Sequence, residues 1–444
     1  MKNEITRRGF LKGLAATGAV ALTAGYPPRR FAEASKGGFD WKRFSGAKIR
    51  FMNDTHDWSS NIIPKALPEF EKMTGIKVQW VVLPENQFRQ KLILELKANP
   101  ESVDGFMSLS SWDGMAFYES GWYEPIEKYL KSPDLTNPDF DFDDFFPNCV
   151  QIATIKNTLV GVPLYPEVQL LYYNKEKFQE KGVKVPETID EFVAAAEKMY
   201  DKEKNFAGYV SRGHGIQAVY TLAPFVFGLG GRWLDEKGRP DLTSDAFIRA
   251  LEIYGRTLGK FGPPGIAGQL FVQNQVVFGN GNAAMNTDTS NFVGFYEDPK
   301  RSKIAGKVGY TTFPRGPAGL KSTLIAWCIS IGSKSRYKEA AWYFLQWCVS
   351  KEMNMRLVKI KSPVGRQSAW NSPEYQSSMP RGWLDAFVKE IPTAAVNQAN
   401  PLVVQVPETR DAIGKAIVAV MQGGNAKEEA MKAQEACLKI LKMN

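Results

Sequence analysis

Three short stretches of this 444-residue chain bring acids together with indoles or hydroxyls. Asp54-Thr55-His56-Asp57-Trp58 and Ser110-Ser111-Trp112-Asp113 each set a carboxylate beside a tryptophan. Thr287-Asp288-Thr289-Ser290 sets one among hydroxyls. A carboxylate accepts several hydrogen bonds, and an indole offers a flat apolar face. Side by side they suit a ligand that carries many hydroxyls and exposes C–H faces. The same residues have a plainer use, because Asp and Ser cap helices and Trp fills cores. A fourth stretch, Arg212-Gly213-His214, joins a rigid fork of donors to a residue that permits close backbone approach. A capped helix start is its alternative reading. Trp327 lies in an apolar run, where an indole is more often core.

Paired acids also raise the question of catalysis. Asp57, Asp113, Glu167 and Asp288 could supply the two carboxylates of a glycoside hydrolase. No GxSxG, HExxH, phosphate loop or strand-linked GxGxxG accompanies them. Gly228-Leu229-Gly230-Gly231 is too short for the last of these and follows a helical stretch. No catalytic residue is therefore assigned, and a secreted carbohydrate-active enzyme stands as the alternative. With only His56 and His214, a site of three histidines is excluded. Cys149, Cys328, Cys348 and Cys437 have no zinc-binding or CxxC spacing and read as buried thiols. Neither a metal nor a cofactor is expected.

These residues need elements to position them. From Lys48 strand-like and helix-like segments alternate, the mark of α/β architecture. Ile49–Met52, Ile76–Leu83 and Val103–Leu109 read as strands. A helix over 62–74 ends at Gly75. A second, over 86–98, carries Phe88, Leu92 and Leu96 on one face. Leu159–Pro163 and Val168–Tyr173 read as two strands around Tyr165-Pro166-Glu167. Thr188-Ile189-Asp190-Glu191 is a capping box that opens a helix through Tyr200. Strand character returns at Ala283–Asn286, Val308–Thr312 and Leu324–Ile331, and the tail is helical. In open α/β sheets ligands sit beyond the carboxyl ends of strands. The three polar clusters fall there.

The amino terminus sets the address. Thr6-Arg7-Arg8-Gly9-Phe10-Leu11-Lys12 resembles the twin-arginine export signal. The apolar run to Tyr26 is too short to span a bilayer, which needs roughly 20 residues. Ala32-Glu33-Ala34 then reads as a cleavage site, with Leu22-Thr23-Ala24 as competitor. The chain carries +9 and its first 34 residues +4, so the remainder carries +5. That mild, dispersed charge gives no argument for nucleic acid. The remaining length exceeds the ~250–300 residues at which one core stops growing, so two lobes are expected.

Several blocks resemble family 1 extracellular solute-binding proteins of ABC importers. They are Phe70-Glu71-Lys72-Met73-Thr74-Gly75-Ile76-Lys77-Val78; Gly161-Val162-Pro163-Leu164-Tyr165, continuing through Leu171-Tyr172-Tyr173-Asn174-Lys175 to Val185-Pro186-Glu187-Thr188; Gly281-Asn282-Ala283-Ala284-Met285; and Ala340-Ala341-Trp342 with Pro363-Val364-Gly365-Arg366. They stand in family order along nearly the whole mature chain. Residues 288–309 are similar to members that take polyols and small sugars. The resemblance implies a two-lobed periplasmic-binding-protein fold of α/β class with a ligand cleft between the lobes. With the signal peptide at 1–34 set aside, it places mainly the first lobe at 35–155. Mainly the second lobe, with crossing strands and a return to the first, falls at 156–330. A helical part at 331–444 packs on both. It implies a periplasmic monomer that hands a sugar, polyol or short oligosaccharide to permease subunits in the inner membrane. The expected ligand-binding residues are Asp57, Trp58, Trp112, Asp113, Glu167, Arg212, His214, Asp288, Trp327 and Arg366. Glu167 joins the set because the family's chain passes the cleft there. For Glu167 a solvent-facing turn is the alternative, and for Arg366 a structural ion pair.

Overall fold

The alternation that begins at Lys48 is realised in a computed structural model, which describes residues 38–443. In chain order the elements used below are β1 (Lys48–Asp54), α1 (Ile63–Thr74), β2 (Lys77–Leu83), α2 (Glu85–Ala98), β3 (Gly105–Leu109) and β4 (Val162–Asn174). They continue as α3 (Ile189–Met199), α4 (Gly215–Gly228), α5 (Asp245–Phe261), α6 (Phe271–Gly279), β5 (Met285–Thr289), β6 (Val308–Thr312) and β7 (Thr323–Ile331). The last are α7 (Lys338–Cys348), α8 (Arg381–Glu390), α9 (Val406–Met421) and α10 (Ala426–Ile440). The described residues divide into two units, 38–166 with 325–378, and 167–324 with 379–443. The chain changes unit within β4, within β7 and again after Ser378.

In the amino-terminal unit β2, β1 and β3 run parallel, and β7 joins β3 antiparallel with Leu109 opposite Trp327. Parallel strands are covered on both faces and so lack polar alternation. All of β3 and the last four residues of β1 are accordingly buried. On one side Phe51, Phe70, Phe344 and Trp347 pack with centroids 4.8–5.1 Å apart. Gly75 closes α1 at φ 74°, with its N–H donating to the Glu71 carbonyl, as the sequence predicts.

In the carboxy-terminal unit β4 pairs antiparallel with both β5 and β6. The predicted capping box is present: Thr188 accepts from the Glu191 N–H and Glu191 reaches back to Thr188. Helix α4 is apolar almost all round and is buried accordingly. It meets α9 at paired glycines. A Cβ on Gly414 would lie 2.4 Å from the Gly215 carbonyl carbon, so a side chain there would force the helices apart.

Two strand boundaries differ from expectation. Residues 162–174 form one continuous strand and not two. Pro163 and Pro166 fall before the ladders with β5 and β6, which begin at Gln169 and Leu170, so neither ladder loses a donor to them. The strand expected at 283–286 lies at Met285–Thr289, so the third polar cluster belongs to the strand itself. Its polar atoms find partners: Thr287 Oγ1 lies 2.6 Å from the Tyr209 hydroxyl, and the Thr287 carbonyl accepts from Ser211 Oγ at 2.8 Å. All four cysteines are buried and unpaired.

Candidate functional site

At the carboxyl ends of β1 and β3 the amino-terminal unit gathers Asp54, His56, Glu85, Arg89, Trp112, Asp113 and Trp327. Arg89 lies at the centre. It projects from α2 one turn beyond Glu85 and is 7% exposed. One guanidinium nitrogen donates to Asp113, and the other two donate to Glu85 at 3.2 and 3.4 Å. The guanidinium carbon stands 4.5 Å from the Trp112 ring centroid and 5.7 Å from that of Trp327. Such stacking is attractive because the ring face is electron-rich. The His56 ring meets Trp327 edge-on at 4.8 Å, and its Nε2 lies 3.1 Å from an Asp54 oxygen.

Burial sets the electrostatics here. It pushes the Asp113 carboxyl up, against the pull of Arg89 and the Leu109 N–H. It raises Asp54 too, opposed by His56. For Arg89 burial works against the charge. Asp113 and Glu85 more than offset it, and the guanidinium is held above its ordinary range.

The carboxy-terminal unit has a cluster of similar chemistry. Arg212 Nε and Nη2 donate to the two oxygens of Asp288 at 2.9 and 2.6 Å, a bidentate pair. Asp288 is wholly buried and also accepts from the Thr289 N–H at 2.7 Å. The guanidinium carbon stands 4.6 Å from the Tyr220 ring and 5.3 Å from the Phe271 ring. Tyr254 donates to the Arg212 carbonyl at 2.6 Å and fixes the backbone behind the pair. Glu167 is 4% exposed. Burial, then the charge of Glu167, raises the Tyr220 phenol, and Arg212 opposes them.

The structure thus brings Trp112, Asp113 and Trp327 together in one unit, and Glu167, Arg212 and Asp288 in the other. The remaining expected residues stand apart. Asp57 accepts from the Asn61 amide at 2.8 Å, and Trp58 is 2% exposed with its ring edge-on to Trp80 at 5.4 Å. His214 is the N-cap position of α4, and its N–H donates to the Gln269 carbonyl at 2.9 Å. The adjoining Gly213 is needed because a Cβ would lie 1.7 Å from the Ile266 carbonyl oxygen; the close approach is to the chain's own backbone. Arg366 is fully buried. It donates to the carbonyls of Val349, Phe140 and Asp141 at 2.7–2.9 Å and to Asp144 at 3.3 Å. That geometry is the structural ion pair of the alternative reading.

Sequence reasoning named the stretch that holds Asp54 and His56 but selected its Asp57 and Trp58, and it passed over Glu85, Arg89, Tyr220 and Phe271. Arg89 had a signal. It falls three and seven residues before Leu92 and Leu96, so it puts a charge on the buried face of α2, with Glu85 at i−4. Tyr220 had none, being one apolar residue among many in α4.

Comparison with known proteins gives this chemistry its setting. Residues 54–355 match the bacterial extracellular solute-binding protein family. The mannitol-binding protein of Pseudomonas aeruginosa is 27% identical over 386 residues, 82% of this chain and 86% of its own. An ABC transporter solute-binding protein from Agrobacterium radiobacter K84, crystallised with ribitol, superposes with TM-score 0.81. It is 25% identical and covers 89% of this chain and 99% of its own. Another, from Agrobacterium vitis S4 with bound D-mannitol, gives 0.78 at 26% identity, over 89% and 98%.

Residues 4–24 match the twin-arginine translocation signal and lie outside the described residues. Changing Arg7 and Arg8 together to lysine is expected to leave precursor in the cytoplasm, because the receptor reads the arginine pair. Cell fractionation that finds the double variant in the periplasm at normal yield would contradict this. The family match covers most of the length and the signal match precedes it, so the chain belongs to the bacterial extracellular solute-binding proteins and is exported to the periplasm by the twin-arginine route.

Proposed function

We propose that this protein captures a polyol or small sugar in the periplasm and delivers it, as a monomer, to the permease subunits of an ABC importer. The observation that carries the reading is the Trp112–Asp113–Arg89–Trp327 cluster beyond the strand ends of the amino-terminal unit. It offers aromatic faces to C–H groups beside charged groups that bond hydroxyls. The polyols held by the relatives above have this character. The acids serve binding and not hydrolysis. Asp113 and Asp288 are each held by an arginine, which suits fixed acceptors better than a proton-cycling acid.

Calorimetric titration with ribitol, D-mannitol and small sugars tests the reading, with chromatography of the same mixtures for products. Saturable binding without product is expected. Trp112→Ala should weaken that binding by about 1–3 kcal/mol with little loss of fold, since the ring is only half-buried. Tyr220→Ala tests the other cluster by its effect on affinity, with a larger loss of stability because this ring is 4% exposed. A stability loss with unchanged affinity would assign either ring to packing. Turnover of a sugar would favour the enzyme reading.

A further inference from the structure

Both arginines of the candidate clusters are occupied by the protein's own carboxylates. A carboxylate or phosphate ligand is recognised best by a guanidinium fork that donates two parallel hydrogen bonds. Arg212 has given Nε and Nη2 to the two oxygens of the wholly buried Asp288. Arg89 has given one nitrogen to Asp113 and the other two to Glu85. Around each cation the surplus is acidic. Asp54, Glu85 and Asp113 surround Arg89, and all three act on its charge. Asp288 and Glu167, with Arg212, act on the Tyr220 phenol. An anionic ligand group at either place would meet carboxylates with no vacant fork to receive it, and desolvated like charges repel by several kcal/mol.

From this arrangement we infer that the protein accepts uncharged or cationic polyhydroxyl ligands and rejects their acid derivatives, the aldonates, uronates and sugar phosphates. The inference rests on the polyol reading above and narrows it by charge. A hydroxyl can donate to an occupied carboxylate and accept from a guanidinium N–H at once, so it fits a pre-neutralised pair. A carboxylate can only accept. An ammonium group can donate to the acids that an anion would oppose. Asp288 is accordingly specificity-determining, because it fills the Arg212 fork, and buried Glu167 adds a second negative charge acting on Tyr220.

The test is a matched series titrated on the whole protein: D-mannitol, its acid D-mannonate, and 1-amino-1-deoxy-D-mannitol, which is protonated at pH 7. Mannonate should bind on the order of 100-fold more weakly than mannitol, and the amine within about tenfold of mannitol. Asp288→Asn releases the Arg212 fork and should raise the mannonate-to-mannitol affinity ratio by about tenfold or more. If that variant does not fold, Glu167→Gln should move the ratio the same way by a smaller factor. Mannonate binding as tightly as mannitol would overturn the inference while leaving the polyol reading intact. A ratio unmoved by the folded variant would remove the role given to these acids. Absence of binding by the whole series, and by the ribitol and small sugars titrated above, would overturn both readings.

Discussion

Arg89→Leu is expected to destabilise the amino-terminal unit by about 3–5 kcal/mol at neutral pH, because it leaves a buried acid without its cation. Asp113 is 4% exposed and takes its side-chain bond from Arg89. Burial already raises its pKa and Arg89 opposes that rise. Without the guanidinium the folded pKa climbs further above its unfolded value. A carboxyl raised in this way keeps its stability below the unfolded pKa and loses it as pH rises through the folded pKa. The deficit of Arg89→Leu should therefore shrink on acidification from pH 7.5 to 4.5. Urea melts followed by tryptophan fluorescence at the two pH values measure this. The double variant Arg89→Leu/Asp113→Leu should recover part of the loss, since removing both partners leaves no unpaired charge. A single variant within about 1 kcal/mol of the parent at both pH values would show that the pair does not hold the unit together.

The second large effect is at Glu390, in the carboxy-terminal unit and outside both clusters. The side chain is wholly buried against β6. One oxygen accepts from the Phe313 N–H at 2.5 Å, and the other has no hydrogen-bond partner among the described residues. It is also the last residue of α8, where the helix dipole disfavours negative charge. Burial pushes its pKa well above 4.5, and the Phe313 bond only partly opposes this. The stability it contributes is complete below the unfolded pKa and declines as pH rises towards the folded one. Within that window the slope is about 1.4 kcal/mol per pH unit. Glu390→Gln keeps the acceptor for Phe313 and does not titrate. It should match the parent near pH 4.5 and exceed it increasingly towards pH 8. Glu390→Ala should lose stability throughout, because the Phe313 N–H is left buried and unpaired. Parallel pH profiles for the parent and Glu390→Gln would refute the assignment.

The two effects bear differently on function. Arg89 lies between Trp112 and Asp113, so its loss should weaken polyol binding as well as the fold. Glu390 touches neither cluster through the bonds it makes, so a stabilised Glu390→Gln protein should keep the parent's affinity.

How much of this was legible beforehand follows from what each feature depends on. The export signal, the family blocks and the α/β alternation are local strings; the signal match agrees with the first and the family match over 54–355 with the blocks from Phe70 to Trp342. Gly75 and the Thr188–Glu191 box were readable for the same reason: a helix end is decided by residues within one turn. Trp112 and Asp113 could be picked out because they follow a strand end. The sequence could not separate them from Asp57 and Trp58, which follow another and turn to Asn61 and Trp80. Periodicity says which face of an element is apolar, but not which side chain across the fold will meet it. Arg89 reaches Asp113 across 24 residues, Arg212 reaches Asp288 across 76, and Phe313 reaches Glu390 across 77. Those pairings depend on strand order and helix packing. Only the tertiary structure decided which charges are neutralised and which acid is buried alone, because desolvation belongs to a position in the packed core and not to a residue type.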